Sequence, residues 1–221
     1  MRRSIMTLRP SALQILLLMV AAAGWGVLWH RGGHLALPGQ CGISFHHWLD
    51  WGWDALALLM LLNPPGPMLM MWGIMVAAMM APLLAAPLSA GRWRDGLAFV
   101  GIYFTLWLIV GVGVMVFALA LSLLPGAPLA YGLLIAGLWQ ITALKQRSLR
   151  RCHAHGRDGA VGFTLACIGA CWPWMLLPLL VPDRMHFIAM FAATLLMAAE
   201  RSLGRVRSLK IGSVNNRKFY F

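Results

Sequence analysis

Charge is what this chain has least of. Only 11% of its 221 residues are Asp, Glu, Lys or Arg, and no more than six are acidic. With 61% hydrophobic residues and a mean hydropathy of +0.76, it has too little polar surface to solvate a water-soluble fold. The bilayer is therefore the solvent to reason with. Cysteine is also sparse. Cys41 and Cys152 fall in separate polar segments while Cys167 and Cys171 share an apolar run, which excludes a disulfide framework within one compartment. No histidine sits in the middle of an apolar run, so a haem held by two intramembrane histidines is not expected. Nucleotide-binding loops, zinc-protease helices and nucleophile elbows are missing too, so no nucleotide is expected and no catalytic residue is assigned.

What is present is a series of apolar runs near or above the roughly 20 residues that a helix needs to cross a bilayer. Six spans are expected: Ser11 to Trp29, Met68 to Leu88, Leu97 to Leu124, Ala127 to Leu144, Val161 to Val181, and Met185 to Ala199. Backbone amides find no water in hydrocarbon, so the spans must be helical and the fold class is all-α, a polytopic membrane bundle over residues 1–200. Trp51 to Leu62 lies between Asp50 and the breaker NPPGP and is too short to span. It suits an interfacial or re-entrant helix within an external loop, 30–67, where Trp48, Trp51 and Trp53 form an interfacial belt.

The basic residues give an orientation. Sixteen of the 18 lie before the first span or after the second, fourth and sixth, and only Arg31 and Arg184 fall opposite. Both termini are then cytoplasmic. This asymmetry accounts for most of the net charge of +12, so nucleic acid is not an expected partner. Residues 201–221 read as a basic cytoplasmic tail lying against anionic lipid headgroups. The N-terminal arginines and the apolar run that follows resemble a signal sequence, but the run continues through Trp25 to Trp29 and reads as an uncleaved anchor.

The stretch LACIGACWPWM, Leu165 to Met175, concentrates the chemistry. Cys167, Cys171 and Met175 stand four apart and share one helical face. Pro173 has no amide hydrogen and its ring crowds the carbonyl of Gly169, so this carbonyl should lack a partner and the helix should kink. Irregular backbone at membrane depth must be covered by protein, which turns the sulfur face toward the bundle. In the second span Met68, Met71, Met75 and Met79 recur at spacings of three and four, while Ala77, Ala81 and Ala85 form a separate row of small residues. Such a methionine face packs against a partner, a cavity or lipid; together with thiols it would select a soft ion such as Cu(I).

Four ordered blocks then resemble a bacterial family of predicted metal-binding integral membrane proteins, a domain of unknown function. The first is Trp72, Met75, Ala78, Met79, Met80 and Pro82. Gln140, Thr142, Lys145, Leu149 and Cys152 make the second, and Gly162, Cys167, Gly169, Cys171, Trp172 and Met175 the third. Met185, Met190 and Glu200 close the pattern, which covers roughly Met71 to Arg201. The resemblance implies a metal site built on cysteines. This chain departs from it at Ser148 and Ala170, where cysteines are expected, and at His186, where asparagine is usual.

Other groupings have plainer readings. His30 and His34 are four apart, and His46 and His47 lie near Cys41, but solvated loop histidines account for them without a second-shell pattern. Cys152, His153 and His155 make a compact cluster in an arginine-rich segment that opposes a cation. Glu200, at the inner end of the last span, should pair with Lys145 or Arg201. The expected function is the binding of a soft metal ion, copper first, between the second, fifth and sixth spans. The ligands would come from Cys167, Cys171, Met175, Met75, Met79 and Cys152, with Pro173, Pro82, Glu200 and Lys145 in structural roles. The alternatives are a metal-free accessory subunit packed against a larger membrane complex and a small transporter, although paired broken helices and internal repeats are missing.

Overall fold

The computed structural model describes residues 12–30, 64–84, 93–122, 124–153 and 159–215. All regular structure among them is helical. In chain order the helices are α1 (Ala12–His30), α2 (Pro65–Leu84), α3 (Trp93–Ser122), α4 (Pro128–Gln140), α5 (Ala143–His153), α6 (Gly159–Leu176) and α7 (Asp183–Asn215), with a 3₁₀ turn at Leu177–Leu180. Cys41, His34, His46, His47, the expected helix at Trp51 to Leu62 and residues 216–221 lie outside the described residues.

Among the described residues four segments are long and apolar enough to cross a membrane: Ala12–His30, Gly66–Leu84, Asp95–Ser122 and Gly159–Leu180. Six are therefore not shown. The fourth expected span, Ala127 to Leu144, corresponds to a helix of 13 residues. At 1.5 Å per residue that is about 20 Å, short of the roughly 30 Å of a hydrocarbon core. Pro128 opens it at the first helical position and the chain breaks at Ile141 and Thr142. The sixth expected span lies inside the 33-residue α7 and is not among the four.

Where a loop was expected after Ala127 to Leu144, the chain forms α5. The side chain of Thr142 caps it, its Oγ1 accepting the amide of Lys145 at 3.2 Å. Lys145, Leu149 and Cys152 then follow at spacings of four and three and turn one face to the protein, leaving Arg147, Arg150 and Arg151 exposed.

The bundle is organised around α6. Along its most apolar stretch 78% of the residues are buried, against 28% for α1, which makes α6 the axis and α1 an edge. Helices α3, α4 and α5 pack around α6, while α7 contacts α2, α5, α6 and the 3₁₀ turn. At the edge, α1 lies along α2 with Leu13, Leu17, Ala21, Gly24 and Leu28 turned inward. Gly24 allows this approach, since a Cβ there would meet the Cβ of Ala78 at 3.2 Å. The outward face of α1 is also apolar, with Met19 and Trp29 more than 60% exposed, a pattern suited to lipid.

Three prolines shape the helix contacts by removing amides. Pro82 offers no hydrogen to the carbonyl of Ala78, and the Trp25 indole on α1 donates to that oxygen at 3.0 Å. Pro173 does the same to Gly169, whose oxygen takes the Trp139 indole of α4 at 2.9 Å. Pro182 brings no amide to the carbonyl of Pro178, which is 2.7 Å from Nδ1 of His186; the contact makes Nδ1 the protonated nitrogen. The helix continues through Pro173 and tightens to 3₁₀ only at Leu177. A fourth close fit joins α2 to α3: the Trp72 indole donates 2.8 Å to the carbonyl of Trp107, in space that a Cβ at Gly111 would occupy at 2.0 Å from Nε1.

Candidate functional site

The thiols meet where α5 crosses α6. Cys152, Cys167 and Cys171 are free and buried. Successive turns of α6 put Cys167 and Cys171 on one face, and the buried face of α5 brings in Cys152. Cys167 is the hub, within side-chain hydrogen-bonding reach of both Cys152 and Cys171. Its Sγ is also 3.1 Å from the hydroxyl of Tyr103 on α3. The helices come this close because Gly169 faces Ser148: a Cβ on that glycine would lie 2.6 Å from the serine Oγ. Ser148, one of the departures from the family pattern, is thus part of the contact that brings α5 onto α6.

Two neighbouring residues of α7 surround the cluster with charge. Arg201 donates from Nη1 to the carbonyl of Leu83 at 2.8 Å, at the C-terminal end of α2 where helix carbonyls lack amides. Its guanidinium lies 5.8 Å from the ring centre of Phe163 and reaches Cys152 by a side-chain hydrogen bond. Hydrogen bonding to Cys167 and burial hold the Cys152 thiol well above its ordinary range, with Arg201 acting in the opposite sense. Glu200 takes a different partner. Its Oε2 is 2.6 Å from Nζ of Lys145, and its Oε1 accepts the Trp174 indole at 3.1 Å. Lys145 also donates to the carbonyl of Ala170 at 2.7 Å, so its buried charge is both paired and hydrogen-bonded.

The sulfur atoms of the methionines are sequestered as well. Met75, Met79 and Met175 are at most 1% exposed, so the methionine face of α2 points into the protein. α2 reaches the thiol region through Leu83 and Arg201. Among the described residues no three or more His, Cys, Asp or Glu side chains close around a single point that could hold an ion. The thiols are joined pairwise through Cys167.

Tyr103 and Arg201 are the participants that sequence reasoning left out of the ligand region. A tyrosine in an apolar span and the first basic residue of a tail carry no local signal for such a place. The helical spacing of Lys145, Leu149 and Cys152 did carry one for α5.

The arrangement is that of an all-helical bundle enclosing soft sulfur donors beside a guanidinium. The chain matches the PpoB2 family, described as copper chaperones, over residues 69–213, about two thirds of its length, and it belongs to that family. It matches no curated protein and no solved structure. Copper handling is thus the general activity of the family to which the chain belongs. The donor chemistry fits: thiolates and thioethers prefer Cu(I), which accepts as few as two sulfurs.

Proposed function

We propose that this protein carries Cu(I) within a membrane, binding it between two thiolates of which Cys167 is always one. The observation that supports this reading is the position of Cys167 between Cys152 and Cys171. Cu(I) displaces one proton from each thiol it engages. The cation makes a buried thiolate tolerable, and the apolar walls keep water and competing ligands away. Because Cys167 is common to both pairs, it would keep hold of the ion while Cys152 is exchanged for Cys171 as the second ligand. Met175, one turn beyond Cys171, and Met75 and Met79 of α2 are the further soft donors of the same core. In this reading both termini lie in the cytoplasm, which the one-sided distribution of basic residues supports, with Cys152 on the cytoplasmic side where copper would enter.

Anaerobic Cu(I) titration of the detergent-purified protein against a chromophoric chelator tests this. Cys167→Ser should abolish tight binding. Cys152→Ser and Cys171→Ser should each retain one ion at reduced affinity, since either leaves a pair. Unchanged Cu(I) stoichiometry in Cys167→Ser would sink the reading and leave a metal-free accessory subunit as its replacement.

A further inference from the structure

Tyr103 of α3 brings a hydroxyl to the thiols. The residue is fully buried, and its oxygen lies 3.1 Å from Sγ of Cys167, which is just as completely enclosed. Its ring is 6.4 Å from that of Phe163, one turn before Cys167 on α6, 6.5 Å from Trp107 and 5.8 Å from Phe104, edge-on to the last. Aromatic packing thus fixes where the O–H can reach. A buried hydroxyl needs an acceptor, and a protonated thiol is a weak one. A thiolate is a strong one, since hydrogen bonds to an ionised group are about twice as strong as neutral ones. The contact is therefore strongest in the state that holds a metal.

We propose that Tyr103 is the positioning residue that makes Cys167 the retained copper ligand, its hydroxyl donating a hydrogen bond to the metal-bound thiolate. This rests on the copper reading above and adds to it a reason for one thiol to be kept while the others exchange. The direction of the bond follows from the protons. Each thiol that engages Cu(I) releases its proton to solvent, so the Cys167 sulfur has nothing left to donate and the phenol O–H becomes the donor. The phenol oxygen is itself a hard, neutral donor, which a soft ion does not prefer, so it stays off the metal. Replacing a neutral hydrogen bond by a charge-assisted one favours the bound state about tenfold. Because the hydroxyl meets Cys167, this gain is kept whichever second thiol completes the pair.

The full-length protein in detergent is titrated anaerobically with Cu(I) against a chromophoric chelator, and the copper-bound-minus-free infrared difference spectrum is recorded with ring-labelled tyrosine. The chain has three tyrosines, and the hydroxyl of Tyr131 donates to the carbonyl of Pro125. The wild type should show a tyrosine C–O band that moves on Cu(I) binding. Tyr103→Phe, which keeps the ring, should erase that band and weaken Cu(I) binding about tenfold. The same factor should appear in the Cys152→Ser and Cys171→Ser backgrounds, since Cys167 remains in both. An unchanged affinity overturns the inference. So does a loss of affinity with no copper-linked tyrosine band in the wild type, which would make Tyr103 a packing residue. A loss confined to one cysteine background also overturns it, because the hydroxyl would then serve one pair and not the shared sulfur. A wild-type protein that binds no Cu(I) would defeat the copper reading itself, and this inference with it.

Discussion

Trp139 offers a direct measurement of what a proline costs inside this bundle. Trp139→Phe keeps an aromatic ring beside Trp172, whose centroid is 5.3 Å away, and removes the indole N–H that donates to Gly169 at 2.9 Å. That carbonyl has no helical amide because Pro173 stands four residues on. A buried acceptor left without a donor costs about 1–3 kcal/mol, and hydrogen bonds between membrane helices measure about 0.6 kcal/mol on average and up to about 1.7. We expect a loss of about 1–2 kcal/mol. The second perturbation, Pro173→Ala, restores an amide that can bond Gly169 within the helix. In that background Trp139→Phe should cost only its lost ring area, giving a coupling of about 1 kcal/mol between the two positions. Reversible unfolding in mixed micelles, followed by helical circular dichroism for the wild type, both single variants and the double variant, supplies the cycle. Effects that add to within about 0.3–0.5 kcal/mol, the usual limit for independent sites, would refute the argument that the indole replaces the missing amide.

Two further outcomes follow from close contacts elsewhere. Glu200→Gln should destabilise the fold by about 2–3 kcal/mol, below the full cost for a deeply buried pair because Glu200 keeps some solvent, and the Lys145→Met, Glu200→Gln double variant should recover most of it in the same unfolding assay. Gly111→Ala places a Cβ 2.0 Å from the Trp72 indole and should cost about 3 kcal/mol through overpacking and loss of the Trp107 contact, seen as a changed tryptophan emission together with a lowered unfolding midpoint.

Some of this architecture is legible in the residues and some is not, for reasons that differ by place. The all-helical class follows from composition, because apolar runs in a low-charge chain leave few other ways to satisfy the backbone. The missing partner of Gly169 is likewise readable from Pro173 alone. Its donor is not, since nothing local marks Trp139 among the 11 tryptophans. The end of α4 at Gln140 is hidden in the sequence because the apolar run continues past Ile141, although the backbone breaks there and Thr142 caps a new helix. Composition reports apolarity and is blind to that break. The sequence narrows the partner of Glu200 to Lys145 or Arg201; the ion pair goes to Lys145, and Arg201 donates to the carbonyl of Leu83. Choosing between them requires the helix-to-helix register, which a single sequence with apolar faces on all sides does not encode.

The bonds that side chains make to proline-orphaned carbonyls have a consequence for the order in which the chain is made. Synthesis runs from the N-terminus, so Trp25 exists before Ala78 and Trp139 before Gly169. Each of these carbonyls emerges into a chain that already contains its donor, and the deficient helix need not wait for a later one to shield it. His186 reverses the sequence by only eight positions, so the carbonyl of Pro178 waits for little more than two further turns of helix. Helices weakened by proline are thus completed by what precedes or closely follows them, which limits the time that an unsatisfied carbonyl spends exposed to an apolar medium during assembly.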